Sequence, residues 1–155
     1  MQSRKFFIAN GLTAIEFLVG FAIIAFLTSF IWYAFSSFRD AGALDEASAA
    51  VLSLLRDARA RTLSSQGNTT YGVHFEETKA VLFSGAAYNS ADASNEPYIF
   101  STSVKISAIN LGGPADVIFQ RLTGAASASG TITLQSKKDS SRTKTITILA
   151  TGNIQ

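Results

Sequence analysis

The sequence predicts an α+β chain, with one long amino-terminal helix, first transmembrane and then amphipathic, packed on an antiparallel β-sheet head. Three observations predict it. Phe17 to Phe38 is a run of 22 residues without a charge. Residues 39–66 then repeat apolar side chains at helical spacing on one face. From Gly67 onward the chain breaks into short segments rich in Val, Ile, Phe, Tyr and Thr. The expected organisation is a basic lead-in at 1–11, an apolar helix at 12–38, its amphipathic continuation at 39–66 and a β-rich head at 67–155.

The apolar run decides the class. Of 155 residues, 47% are hydrophobic and 15% charged, against about 25% charged in an ordinary soluble domain. A bilayer core of about 30 Å takes about 20 apolar helical residues to cross, and a buried helix of a soluble protein usually has a shorter run of about 10–14. Trp32 and Tyr33 lie near one end, where amphipathic rings favour the membrane interface. Arg4 and Lys5 precede the span, and Arg39 follows it beside Asp40. Positive charge before the span predicts a cytoplasmic amino terminus and an extracytoplasmic head. Ala41-Gly42-Ala43 has the small-x-small form of a secretory cleavage site. A secretory h-region, however, runs only about 7–15 residues.

Glu16 stands at the edge of the apolar run, where a carboxylate is costly and usually has a partner. If the chain is cut after Gly11, Leu12 carries a new α-amino group close to Glu16. Within a filament, that amine could pair with Glu16 of a neighbouring subunit and offset both desolvation costs. The alternative is a hydrated Glu at the membrane surface with no partner.

Gly11, a hydrophobic residue, Thr13, Ile15 and Glu16, followed by an apolar helix, together resemble the class III signal of type IV pilins and pseudopilins. The resemblance implies that a prepilin peptidase cuts between Gly11 and Leu12 and methylates the amine of Leu12. It implies Glu16 in assembly, and other pilin or pseudopilin subunits and the membrane as partners. Leu12 replaces the usual Phe, and Ala14 stands where a bulkier aliphatic residue is usual.

Leu44, Ala47, Val51, Leu55, Ala58 and Leu63 form the predicted apolar face of the amphipathic half, with Asp57 and Arg61 as an i,i+4 ion pair. Gly67-Asn68 is the predicted stop. A helix over residues 12–66 would be about 80 Å long.

In the head, Tyr71 to Phe75 and Lys79 to Phe83 are predicted to form a hairpin around Glu76-Glu77-Thr78. Further strands are expected at 98–101, 104–106, 117–120, 130–134 and 145–148, with a polar hairpin loop at 137–144. Arg56-Asp57-Ala58-Arg59, Tyr71-Gly72-Val73-His74-Phe75, Val117-Ile118-Phe119, Gly124, Gly130 to Leu134, Thr145-Ile146-Thr147-Ile148 and Gly152-Asn153-Ile154 resemble the H-type minor pseudopilins of type II secretion and the FimT-like minor pilins. This finer resemblance implies a helix packed on β-sheets and a head at or near a filament tip.

Composition narrows the remaining chemistry. The chain has no cysteine, so no disulfide or thiolate site is possible. His74, the only histidine, has no metal-ligand spacing around it and reads as a strand residue. No nucleophile elbow or phosphate loop is present. Neither an enzyme, a cofactor nor a metal is expected. Asn89 to Glu96 is rich in oxygen atoms but lacks the spacing of a calcium loop, and reads as a solvated, mobile loop. Net charge is +2, and without Arg4 and Lys5 the 13 basic side chains become 11, against 11 acidic. Such a chain has little long-range attraction for nucleic acid. Lys137, Lys138, Arg142 and Lys144 form a basic patch that could contact DNA, although no aromatic side chains interleave it. Three readings follow: a structural pilin-like subunit, a DNA-binding minor pilin, and a membrane-anchored extracytoplasmic domain outside any filament.

Overall fold

The computed structural model describes residues 13–155, without the side chains of residues 32–39 and 41. The chain is α+β. It divides after Phe38 into two compact units. Helix α1, Ala14–Leu63, supplies all the helix described in the first unit and also opens the second.

The helix part of the second unit presents Leu44, Ala47, Val51, Leu55, Ala58 and Thr62 to the core, each at most 4% exposed. Their spacing of three and four matches 3.6 residues per turn. Leu63, expected on this face, is instead 42% exposed. Four residues beyond Ala58 comes Thr62, so the helical period places the threonine inward. Its burial is made tolerable by hydrogen bonds. Thr62 Oγ1 donates to Ala58 O at 2.8 Å and accepts from Tyr71 N at 2.9 Å. One hydroxyl thus ties the helix end to the first strand. The helix stops at Leu63, before the predicted Gln66. Ser65 adopts a left-handed φ of 54°, and a single 3-10 turn, Gln66–Asn68, follows.

Among the described residues, seven strands form two antiparallel sheets. They are β1 Tyr71–Glu76, β2 Lys79–Ser84, β3 Glu96–Ile99, β4 Val104–Asn110, β5 Asp116–Ile118, β6 Gly130–Ser136 and β7 Thr143–Ile148. One sheet has the order β3-β2-β1-β5 and the other β4-β6-β7. The predicted hairpin is present, with Tyr71 opposite Ser84 and Glu76 opposite Lys79. Its turn is shorter than expected, only Glu77-Thr78. The two turn carbonyls are put to use: Thr78 O accepts from Phe100 N and Glu77 O from Ile106 N, both at 2.9 Å. The second of these bonds joins the hairpin to a strand of the other sheet.

β3 lies earlier than the expected 98–101. Glu96 to Ile99 pair with β2, and Phe100 leaves the sheet and is buried. Pro97 is tolerated because β3 is an edge strand. β6 and β7 alternate as predicted, with Ile132, Leu134, Ile146 and Ile148 buried. The loop between them is 137–142, because β7 already begins at Thr143. These residues, the helix face, Val73, Phe75, Leu82, Val117 and Phe119 make one hydrophobic core.

Candidate functional site

The amino-terminal part of α1 is the first candidate. Thr13 precedes the helix, and its Oγ1 accepts the backbone N–H of Glu16 at 3.3 Å. Thr-x-x-Glu is the pattern of a capping box, with the acid in the first turn, where the helix dipole favours negative charge. Glu16 therefore has a local reason for its position in addition to any role in assembly. The pattern was legible in the sequence, in the spacing of Thr13 and Glu16. Gly11 and Leu12, the expected cleavage and methylation positions, lie outside the described residues, as do the side chains of Trp32 and Tyr33.

Ala14–Ile31 is an 18-residue window of mean hydropathy 2.3, with none of it buried. Eleven large apolar side chains, from Ile15 to Ile31, are each 51–73% exposed. On an insertion scale each such residue favours the bilayer by about 0.3–0.6 kcal/mol at the helix centre, so eleven sum to roughly 3–7 kcal/mol. The two hydroxyls of the segment do not oppose this. Thr28 Oγ1 donates to Ile24 O, and Ser29 Oγ donates to Phe26 O at 2.8 Å. Lipid requires polar groups to be satisfied within the segment in this way. The segment fits a membrane anchor or a signal sequence.

The basic residues singled out near the carboxyl end are largely matched by acids. Lys138 Nζ lies 2.8 Å from Asp40 Oδ2, Lys144 Nζ 3.0 Å from Asp45 Oδ1, and Arg142 Nε 3.4 Å from Asp139 Oδ2. Lys137 is exposed. Asp139 also accepts from the Ser141 hydroxyl at 2.6 Å and the Ser141 N–H at 3.0 Å, and these bonds hold its carboxyl below the usual range. The two lysine pairs join the β6–β7 hairpin to the start of the docked helix. Asp40 and Asp45 are nearly a hundred positions away in sequence, so local spacing could not have found them.

His74 lies in β1, as expected of a strand residue. Its surroundings were not legible, because they come from distant segments. Its Nδ1 bonds Asp116 Oδ1, its partner in the β1–β5 register. Tyr88 stacks on the imidazole with ring centroids 4.0 Å apart and planes 10° apart. Nε2 faces Glu76 Oε1 at 3.8 Å. Both ring nitrogens thus face carboxylates, and the cluster fastens the loop carrying Tyr88 to the sheet.

The oxygen-rich loop uses several of its oxygens internally. Asp92 Oδ1 accepts from Ser94 N at 2.9 Å and Ser94 Oγ at 2.8 Å, and Asn89 O accepts from Asn95 Nδ2 at 2.8 Å. The backbone N–H of Ser94, and then its hydroxyl, hold the Asp92 carboxyl below its ordinary value. Glu96 is taken by Arg61, whose Nη2 lies 3.1 Å from Glu96 Oε2 and 2.7 Å from Asp57 Oδ2. The predicted Asp57–Arg61 pair is therefore one half of a three-residue bridge. Among the described residues, no group of three or more His, Cys, Asp or Glu side chains is placed to hold a metal ion.

No family model, curated protein or solved structure matches the chain. Its geometry is that of a pilin-like topology: a membrane-capable apolar helix followed by antiparallel β-sheets.

Proposed function

We propose that this chain is a structural subunit, a minor pilin or pseudopilin, of a type IV pilus or a type II secretion pseudopilus. Prepilin peptidase removes residues 1–11, cutting between Gly11 and Leu12, and methylates the Leu12 amine. The mature subunit is held in the cytoplasmic membrane by the apolar part of α1, with its amino terminus on the cytoplasmic side and its head outside. It then joins other subunits in the filament. Its role is assembly rather than catalysis.

The observation that carries this reading is the apolar cylinder of residues 14–31, which has eleven large side chains exposed and no covering from its own unit. Lipid covers such a surface before assembly and neighbouring apolar helices cover it afterwards. Its continuation in the same helix buries its stripe against the head, as a subunit built on one helix requires. The nucleic-acid reading gains nothing from a basic patch in which three of the four side chains have carboxylate partners.

The test is the intact mass of the protein co-expressed with a prepilin peptidase. A chain beginning at Leu12, one methyl heavier, with the Gly11→Ala variant uncut, is the expected result. A wild-type chain that stays uncut, or is cut after Ala43, overturns the proposal. Glu16→Gln separates the two roles of that residue, because Gln also serves a capping box. Assembly lost in Glu16→Gln with processing intact would assign the charge to subunit pairing.

A further inference from the structure

Arg59 lies half-buried on α1. Its Nε donates to Gly124 O at 3.1 Å. Two glycines close around this bond. A Cβ on Gly124 would lie 2.9 Å from Arg59 Nε, and a Cβ on Gly152 would lie 3.1 Å from the same nitrogen and 1.8 Å from Gly124 O. Both glycines are left-handed, with φ of +65° and +78°. The guanidinium is therefore held by backbone, in a space that admits no side chain at either position.

Arg61, two positions along, bonds two carboxylates. Arg59 and Arg56 have no ion-pair partner among the described residues. Both line one cavity of about 330 Å³, together with Leu63, Gly152, Asn153 and Ile154. A guanidinium has five N–H donors and no acceptor, and the bond to Gly124 uses only one of Arg59's. A partly buried, unpaired cation is unfavourable until an anion covers it. The planar fork matches an acceptor with two oxygens in a plane.

We propose that this cavity is a carboxylate-binding site of the head. Arg59 and Arg56 take an acidic group of another protein molecule, and Leu63 and Ile154 contact its aliphatic part. A single carboxylate suits the electrostatics better than a polyanion. Residues 39–155 carry 11 basic and 10 acidic side chains, so the head has no strong long-range field. The carboxylate can come from an acidic side chain or from a carboxyl terminus. The site belongs to the head alone and does not depend on filament membership.

The experiment uses the full chain in zwitterionic detergent micelles, with the arginine Nε–H signals followed by NMR at constant ionic strength. Three acetylated peptides are titrated. One has a Glu side chain and an amidated end, one has a free carboxyl end and no acidic side chain, and one has neither. Sodium phosphate is titrated separately. Saturable shifts at Arg59 and Arg56 with either carboxylate peptide, and none with the third, are expected, and the responding peptide identifies the source. Arg59→Lys keeps the charge but loses the fork, and should weaken binding about tenfold or more. Arg56→Gln, at an exposed position, should also weaken binding without disturbing the fold. An equal response to the peptide without a carboxylate, saturation by phosphate alone, or unchanged affinity in both variants would overturn the proposal.

Discussion

Residues 14–31 and 44–62 lie in one helix and use much the same aliphatic alphabet, yet their side chains meet opposite fates. In the first stretch, eleven large apolar groups stand exposed around the helix. In the second, six side chains at helical spacing are at most 4% exposed, Leu52 and Leu54 flank them half-buried, and charged, Ser and Ala residues occupy the rest of the surface. The difference lies in the pattern of hydrophobicity. An all-round apolar helix cannot be covered by one sheet surface, so its covering must come from lipid or from other chains. A single stripe can be satisfied by the chain's own strands. Stability of the head and retention in a membrane should therefore respond to different halves of α1.

The largest expected effect tests that separation directly. Leu55→Ala removes a fully buried side chain and should destabilise the head by about 2–5 kcal/mol in chemical denaturation, with membrane retention unchanged. Phe26→Ala should leave the head's transition where it is. A shift in that transition would break the comparison. Next comes Ile24→Asp, which places a charge in the span at a cost of about 2.5–3.5 kcal/mol near a helix centre. Carbonate extraction should then release the protein, while the folded head keeps its denaturation midpoint. A variant still retained in the membrane would mean that the span is not the anchor.

Thr62→Val preserves the shape of the buried stripe but leaves the Tyr71 N–H without its acceptor. A loss of about 1–3 kcal/mol is expected in the same denaturation assay. A neutral result would show that the helix end and β1 are not coupled through this hydroxyl. Alkaline pH probes the same helix from the sheet side. Burial, and then the neighbouring Glu46 carboxylate, push the Tyr98 phenol above its ordinary value. The folded state therefore holds that proton more tightly than the unfolded state. The contribution is fully present below about pH 10 and is lost as pH rises through the higher folded value. Wild-type stability should fall more steeply than that of Tyr98→Phe above about pH 10. The smallest effect is expected at Lys144, whose pair with Asp45 is exposed on both sides. Lys144→Ala should change head stability by no more than about 1 kcal/mol, and less at high salt.

Much of the architecture was legible because it rests on local periodicity. The apolar run, the stripe from Leu44 to Ala58, the β1–β2 hairpin and the alternation of β6 and β7 all follow from residues a few positions apart. Errors arose where neighbours in space compete with neighbours in sequence. Leu63 looked like the next core residue, but the helical period and the Tyr71 N–H selected Thr62. Phe100 looked like part of a strand, and its N–H still bonds Thr78 O just past the last β2–β3 pair, but β3 ends at Ile99 and the Phe100 ring packs in the core. The lysines of the β6–β7 hairpin looked like an open basic patch because Asp40 and Asp45 are remote in the chain. The Thr13–Glu16 capping pattern was present in the sequence beneath the more conspicuous question of a charge beside an apolar run.

By itself, then, the order of residues determined a helix apolar all round and then on one side, and a head of short alternating strands. Hydrophobic spacing against a 3.6- or 2-residue period settles both. Only the tertiary structure decided the division of the strands between two sheets, the partners of His74 and of the hairpin lysines, and the closing of Gly124 and Gly152 around Arg59. Each of these depends on which distant backbone groups come within a few ångströms once the core has packed, and no periodicity along the chain encodes that distance.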